Sequence, residues 1–268
     1  MRVEVGGHCA FAGTGSVPFD ARRPCVVFLH GAGFDHSVWV MPSRYFARHG
    51  FAVVAPDFPA HGRSKGAPLA SVPALASWLA ELLDALGVAE AVVVGHSLGS
   101  LVGQAFARLF PDRCLGLALL GTSAPMAVTE QLLGASRDDD HAAIDMANTW
   151  SHSPQGRLGA SDNPGIWMLG AEERLLERAA PGVYHADFTA CNECDLDQLP
   201  GLVSCPVLVI AGGSDSMTPA RSGQAVANAL SARYVSLPGC GHSMLAERPN
   251  QVLDALAEFI GQLPPADH

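Results

Sequence analysis

The sequence predicts an α/β fold: a mostly parallel, doubly wound sheet with a helical cap inserted into it. Three observations lead there. The apolar runs at residues 25–29, 92–94 and 115–120 are continuous rather than alternating, as strands buried on both faces require. Stretches with apolar residues at helical spacing lie between them, so strands alternate with helices and pair in parallel. From residue 122 to about 204 that alternation stops and only helical stretches remain. The expected division is a core of residues 1–121 and 205–268 with a helical cap at 122–204.

Along the chain, residues 2–5 and 8–12 read as two short edge strands joined by Gly6-Gly7. Residues 25–29 form a buried strand that runs into the loop His30-Gly31-Ala32-Gly33, where glycines let backbone N–H groups approach a ligand. A helix at 38–49 and a strand at 51–55 lead to the Pro/Gly-punctuated loop Pro56 to Ser64. Leu75, Trp78, Leu79, Leu82, Leu83 and Leu86 follow helical spacing, and Gly87 ends that helix. The Val92 strand, a sharp turn, a helix at 98–110 and a strand at 115–120 complete the first half. In the cap, helices are expected at 129–135, 138–150 and 171–179, separated by Pro- and Gly-rich breaks such as Asn163-Pro164-Gly165. The strand pattern resumes at 206–211, followed by a helix at 222–230, a strand at 234–237 and a closing helix at 249–263.

The totals limit what such a domain does. A chain of 268 residues, 49% hydrophobic and 16% charged, is ordered and large enough for one substantial core. The net charge of −10 comes with no Lys/Arg cluster, which argues against nucleic-acid and anionic-membrane partners. No apolar run is long enough to span a bilayer, and the start lacks a signal pattern. Seven cysteines, an odd count, with Cys25 and Cys205 in or beside apolar strands, read for the most part as reduced core residues of a cytoplasmic protein. Cys191-x-x-Cys194 lacks the second pair a zinc site needs, so neither metal nor cofactor is expected. Oligomeric state is open.

The chemistry gathers at strand ends, where open α/β sheets carry their ligands. Gly95-His96-Ser97-Leu98-Gly99 follows the Val92 strand and opens a helix. Small residues at both ends permit a turn tight enough to force Ser97 into a strained, exposed position beside unpaired N–H groups. A serine hydroxyl needs a base within reach, and the base needs an acid to fix its tautomer. His242, in the Gly-rich turn after the last strand, and Asp215, after the strand before it, fit those roles. Asp57 is the rival for the acid; Asp215 is favoured by its strand position.

With these residues the chain resembles the α/β-hydrolase superfamily over its whole length outside the cap. The resemblance rests on the His30-Gly31 loop, the Gly95-to-Gly99 elbow, Gly213-Ser214-Asp215 with Thr218-Pro219, and Gly241-His242 with Glu247-x-Pro249. It implies Ser97 as nucleophile, Asp215 as acid, His242 as base, and an oxyanion hole from the backbone N–H groups of Leu98 and Ala32. Ala60 stands where relatives usually carry Gly. His96 is expected to pack beside the site or line it, and His30 and His61 to fix their loops. Met126, Trp150 and Trp167 of the cap are candidate substrate contacts, whereas His185 and Asp187 read better as a solvated face. The implied activity is hydrolysis of a small or medium carboxylic ester or lactone through an acyl-enzyme, with a small-molecule ester as partner. The alternatives are carbon–carbon bond hydrolysis, thioester hydrolysis, peracid formation or a lyase reaction on the same scaffold, and a ligand-binding receptor. His96 and Ser100 stand where carbon–carbon hydrolases favour Asn and Gly.

Overall fold

One eight-stranded sheet runs through the protein in the order β1-β2-β4-β3-β5-β6-β7-β8. The computed structural model describes residues 1–163 and 165–263; Pro164, named above in a loop, lies outside them. Strands β1 (Arg2–Val5) and β2 (His8–Gly13) are antiparallel to each other, and β2 is antiparallel to β4 (Ala52–Pro56). The rest pair in parallel: β3 (Cys25–Leu29), β4, β5 (Ala91–His96), β6 (Cys114–Leu120), β7 (Val207–Gly212) and β8 (Arg233–Leu237). Every residue of β3, β4, β5 and β7 is buried, which is why their sequences show no polar alternation.

Helices cover both faces. Val26 and Phe28 of β3 point to the side where Trp39, Phe46 of α1 (Val40–Arg48) and Leu256 of α11 (Pro249–Gly261) pack. Val27 and Leu29 point to the other, against Leu79 of α2 (Val72–Ala85) and Leu101 of α3 (Leu98–Leu109). Helix α9 (Ala220–Ala229) adds Val226 to that second face. The parallel register pairs Leu29 with Gly95, His96 with Leu120 and Gly212 with Leu237. The carboxyl ends of these strands therefore share one rim, and the loops they release meet there.

Between β6 and β7 lie only helices among the described residues: α4 (Glu130–Arg137), α5 (His141–Ser151), α6 (Pro154–Arg157), α7 (Met168–Leu176) and α8 (Val183–Asn192), with a short 3₁₀ turn after them. Leu132, Ala147, Leu176, Tyr184 and Phe188 form a separate apolar cluster, against which Ala32 and Phe34 of the loop after β3 pack. Met126, Ala190 and Cys191 join the main core instead. The insertion is thus fused to the domain beneath it.

The helices differ locally from the sequence reading, and two of the differences have a clear physical cause. The helix expected at 38–49 begins at Val40 because His36–Trp39 is a 3₁₀ turn, capped by Asp35, whose side chain accepts the Ser37 N–H at 2.8 Å. Helix α7 begins three residues early, at Met168. Helix α8 was not anticipated, because Val183, Tyr184, Ala186, Asp187, Phe188, Ala190 and Cys191 are all buried and leave almost no polar face to reveal a period. A four-residue closing element, α10 (Met244–Glu247), precedes α11, and among the described residues no helix is long and apolar enough to cross a membrane.

Candidate active site

Ser97 sits between β5 and α3 with φ 54° and ψ −120°, a conformation that costs a residue with a side chain roughly 1–3 kcal/mol. Two glycines make the turn possible. A Cβ on Gly95 would run into the Gly99 carbonyl, and one on Gly99 into the Leu29 carbonyl and, at 2.7 Å, that of His30. The Ser97 N–H is anchored to the Leu120 carbonyl at 2.9 Å. The N–H groups of Leu98, at the first turn of α3, and of Ala32 donate to no acceptor among the described residues. Neither is thus used up among the described residues.

Asp215 and His242 meet at the ends of β7 and β8. The Nδ1–H of His242 donates to Asp215 Oδ2 at 2.8 Å. The other Asp215 oxygen accepts the N–H groups of Met217 and Thr218, each at 2.8 Å, and the Thr218 hydroxyl donates to Oδ2 at 2.8 Å. Burial alone would raise the Asp215 carboxyl, but the His242 charge and these hydrogen bonds outweigh it and hold the group below its usual range. Burial alone would lower His242, and Asp215 overcomes that, so its pKa lies above the ordinary histidine value. His242 Nε2 is buried and has no partner among the described residues. The backbone around it is tied down by Glu247, a fully buried carboxylate that accepts from Ser153 N at 2.9 Å, Ser153 Oγ at 2.6 Å and Gly241 N at 3.2 Å.

Ser97 and His242 open onto two adjoining chambers. The larger is walled by Met126, Val128, Leu132, Trp150, Phe188, Cys191 and Met217, with Ala32 and Thr218 at its floor. The smaller lies under Phe34, His96, Ala147, Leu176 and Tyr184. Neither is lined by Asp, Glu, Lys or Arg. The structure thus brings Met126 and Trp150 to the larger chamber and His96 to the smaller. Trp167 is a correction: it is 74% exposed, stacks over Gly170 at the start of α7 and lines neither chamber.

The remaining charged groups on this rim have structural partners. Asp57 accepts from His36 N and Nδ1, both at 2.7 Å, and from Arg63 N at 2.9 Å; these bonds outweigh its burial and lower its pKa. It shapes the loop after β4 and makes no bond to His242. Ala60 in that loop has φ 68°, the left-handed conformation glycine takes at no steric cost. Asp187, expected on a solvated face, is instead buried on α8, where its carboxylate meets His61 Nε2 at 2.9 Å and Gly33 N at 2.8 Å. Sequence reading places Asp187 on the wrong face, counts Tyr184 and Phe188 only among the cap's apolar residues and weighs Cys191 only as half of a Cys-x-x-Cys pair, because it does not register the helix. Asp35, His36 and Asp57 cluster as a cation site would, as do His141, Glu173 and Glu177 on the insertion's surface. Asp57 is already satisfied by its loop, and Arg174 is paired with both glutamates of the second group.

A glycine-flanked serine at a strand-to-helix turn, on the rim of a doubly wound sheet, defines the class: the chain belongs to the α/β hydrolase fold family, whose model matches residues 24–249. Among its relatives, the pimeloyl-[acyl-carrier protein] methyl ester esterase of Aromatoleum aromaticum is 30% identical over 242 residues, covering 85% of this chain and 94% of that protein. The enzyme of the same name from Chromobacterium violaceum is 28% identical over 264 residues, covering 89% and 95%. The enol-lactonase of Burkholderia xenovorans LB400 shares the fold at a TM-score of 0.86 and 23% identity, covering 98% of this chain and all of that one.

Proposed function

We propose that the protein is a serine hydrolase of small or medium, uncharged carboxylic esters or lactones, acting through an acyl-enzyme. Ser97 Oγ attacks the ester carbonyl while His242 Nε2 takes its proton; Asp215 holds the imidazole in the Nδ1–H tautomer and stabilises the cation. The N–H groups of Leu98 and Ala32 receive the negative oxygen of the tetrahedral intermediate. The imidazolium then gives its proton to the departing alcohol. A water, deprotonated by the same nitrogen, releases the acid and frees Ser97.

The observation that carries this reading is the state of His242: Nδ1 is held by a buried carboxylate, Nε2 has no partner among the described residues, and the residue lines the same cavity as Ser97. The methyl ester esterases among the relatives support the ester as substrate class. Uncharged substrates are proposed because the chamber walls offer no fixed counter-charge, and a carboxylate moved into them would lose its hydration uncompensated. Segment 122–204 is proposed to act as the cap, with Met126 and Trp150 against the acyl chain. The test is labelling with a fluorophosphonate, followed by peptide mapping and a panel of chromogenic esters of graded acyl length. An adduct on Ser97 and turnover of neutral esters are expected. An adduct elsewhere on active protein, or turnover retained in Ser97→Ala, refutes the assignment.

A further inference from the structure

His61 and Asp187 have no part in the steps above, yet they are 2% and 1% exposed and bonded to each other. His61 Nδ1 lies 3.0 Å from the Pro59 carbonyl and Nε2 2.9 Å from Asp187 Oδ2. A carbonyl and a carboxylate both only accept, so both nitrogens carry protons and His61 is an imidazolium facing an aspartate. The neighbouring His30 is different: Nδ1 donates to the Gly31 carbonyl at 2.9 Å and Nε2 accepts the Phe58 N–H at 3.1 Å, which leaves it one proton. Burial and the His61 charge agree with this, holding His30 down to about 4.

The same Asp187 oxygen that receives His61 also receives the Gly33 N–H at 2.8 Å. Gly33 follows Ala32, whose N–H is the proposed oxyanion donor. Three residues before Asp187, on the same face of α8, the Tyr184 ring lies 2.7 Å from where a Gly33 Cβ would be. One helix of the insertion therefore grips the Gly33 peptide twice, by an ionic hydrogen bond and by ring contact.

We infer that the His61–Asp187 pair is a positioning device for the oxyanion loop, fixing the Gly33 peptide and through it the direction of the Ala32 N–H. The inference rests on the esterase reading. A buried ion pair adds little stability over well-packed apolar residues, because both charges must be desolvated. What the charge supplies is direction. A carboxylate held by an imidazolium accepts an N–H more strongly, and along a narrower path, than a neutral group does. Loss of a whole oxyanion donor costs about 10²–10³ in kcat, so tilting one should cost about 10-fold to 100-fold.

The test uses Asp187→Asn and His61→Gln in the full chain, with kcat and KM on a neutral chromogenic ester. The Ki of a trifluoromethyl ketone is measured beside them, because its adduct on Ser97 places a negative oxygen in the oxyanion hole. Asp187→Asn should lower kcat about 10-fold to 100-fold with KM within about threefold, and weaken the ketone by a similar factor. His61→Gln, whose amide still donates to Asp187, should lose less. Unchanged kcat with a lowered melting temperature would make the pair a clamp only, and a raised KM at constant kcat would make it a pocket wall; either overturns the inference. Should Asp187→Asn fail to fold, His61→Gln decides: unchanged kcat and ketone affinity overturn it. Wild-type turnover and labelling of Ser97 separate these outcomes from failure of the esterase reading itself.

Discussion

Replacing Asp215 by Asn tests the proposed acid at a single atom. Asp215 Oδ1 accepts two backbone N–H groups, from Met217 and Thr218, each at 2.8 Å. Only an oxygen fits there, so the new amide nitrogen must take the Oδ2 position, facing His242 Nδ1 and the Thr218 hydroxyl. The hydroxyl rotates and becomes an acceptor. His242 Nδ1 must also become an acceptor, which moves its proton to Nε2, and a protonated Nε2 cannot take the proton of Ser97. The expected loss in kcat is about 10⁴, the size seen when a triad aspartate is made neutral, or about 5.4 kcal/mol at 1.36 kcal/mol per decade. The pH profile gives a second reading. The base works unprotonated, so activity rises with pH through the His242 pKa, and Asp215 holds that pKa above the ordinary 6.5. Without the charge, burial lowers it, so the residual activity should rise at lower pH than wild type. Steady-state hydrolysis of a p-nitrophenyl ester from pH 5 to 9, beside a thermal melt, measures both. A folded Asp215→Asn enzyme within about tenfold of wild-type kcat would refute the tautomer argument, above all if Asp57→Asn lost activity instead.

Two further outcomes follow from the walls of the site. Trp150→Ala should enlarge the acyl chamber and shift the ratio of kcat/KM toward longer esters, while Trp167→Ala, outside both chambers, should leave that ratio unchanged; equal effects would place the chain elsewhere. Glu247→Ala would strand the N–H groups of Ser153 and Gly241 and the Ser153 hydroxyl, and should cost at least about 3 kcal/mol in a urea melt, at roughly 1–3 kcal/mol per orphaned buried group. An unchanged midpoint would mean that water replaces the carboxylate there.

The sheet was legible because strands buried on both faces must be apolar throughout. Cys25–Leu29 is bounded in the sequence where the structure bounds it, and the other parallel strands differ by a residue or so at their ends. The elbow was legible because its glycines are required sterically, each facing a backbone carbonyl that a Cβ would strike. The insertion was less so. Its helices with an exposed face, α4 and α5, left a period in the sequence; α8, buried nearly all round, left none. Asp187 shows the cost of that gap. An aspartate two residues from His185 reads as part of a solvated face, and only the tertiary fold brings His61 and Gly33, more than 100 residues earlier, against it. Trp167 fails the opposite way. A tryptophan in a cap suggests a pocket wall, but the side of α7 that faces the cavity cannot be read from the residue alone.

Eleven histidines make any one of them weak evidence in the sequence, and four buried ones stand at or just past the ends of β3, β4, β5 and β8. Their partners separate them. His30 has a carbonyl on one nitrogen and an N–H on the other, so it stays neutral. His61 has acceptors on both sides, so it stays charged. His96 donates Nε2–H to the His242 carbonyl at 2.9 Å, and burial with the nearby His242 holds its pKa down to about 3. A proton on its free Nδ1 would place a cation in an apolar setting, 4.8 Å between ring centres from His242, with no carboxylate bonded to its ring. His242 alone of the four combines a carboxylate on one nitrogen with an unpartnered second nitrogen, in a residue that lines both chambers with Ser97. The carboxylate stabilises the cation enough for the ring to accept a proton, and the open nitrogen gives that proton a path to and from a reacting oxygen. A base must be able to hold either state, and each of the other three is locked into one.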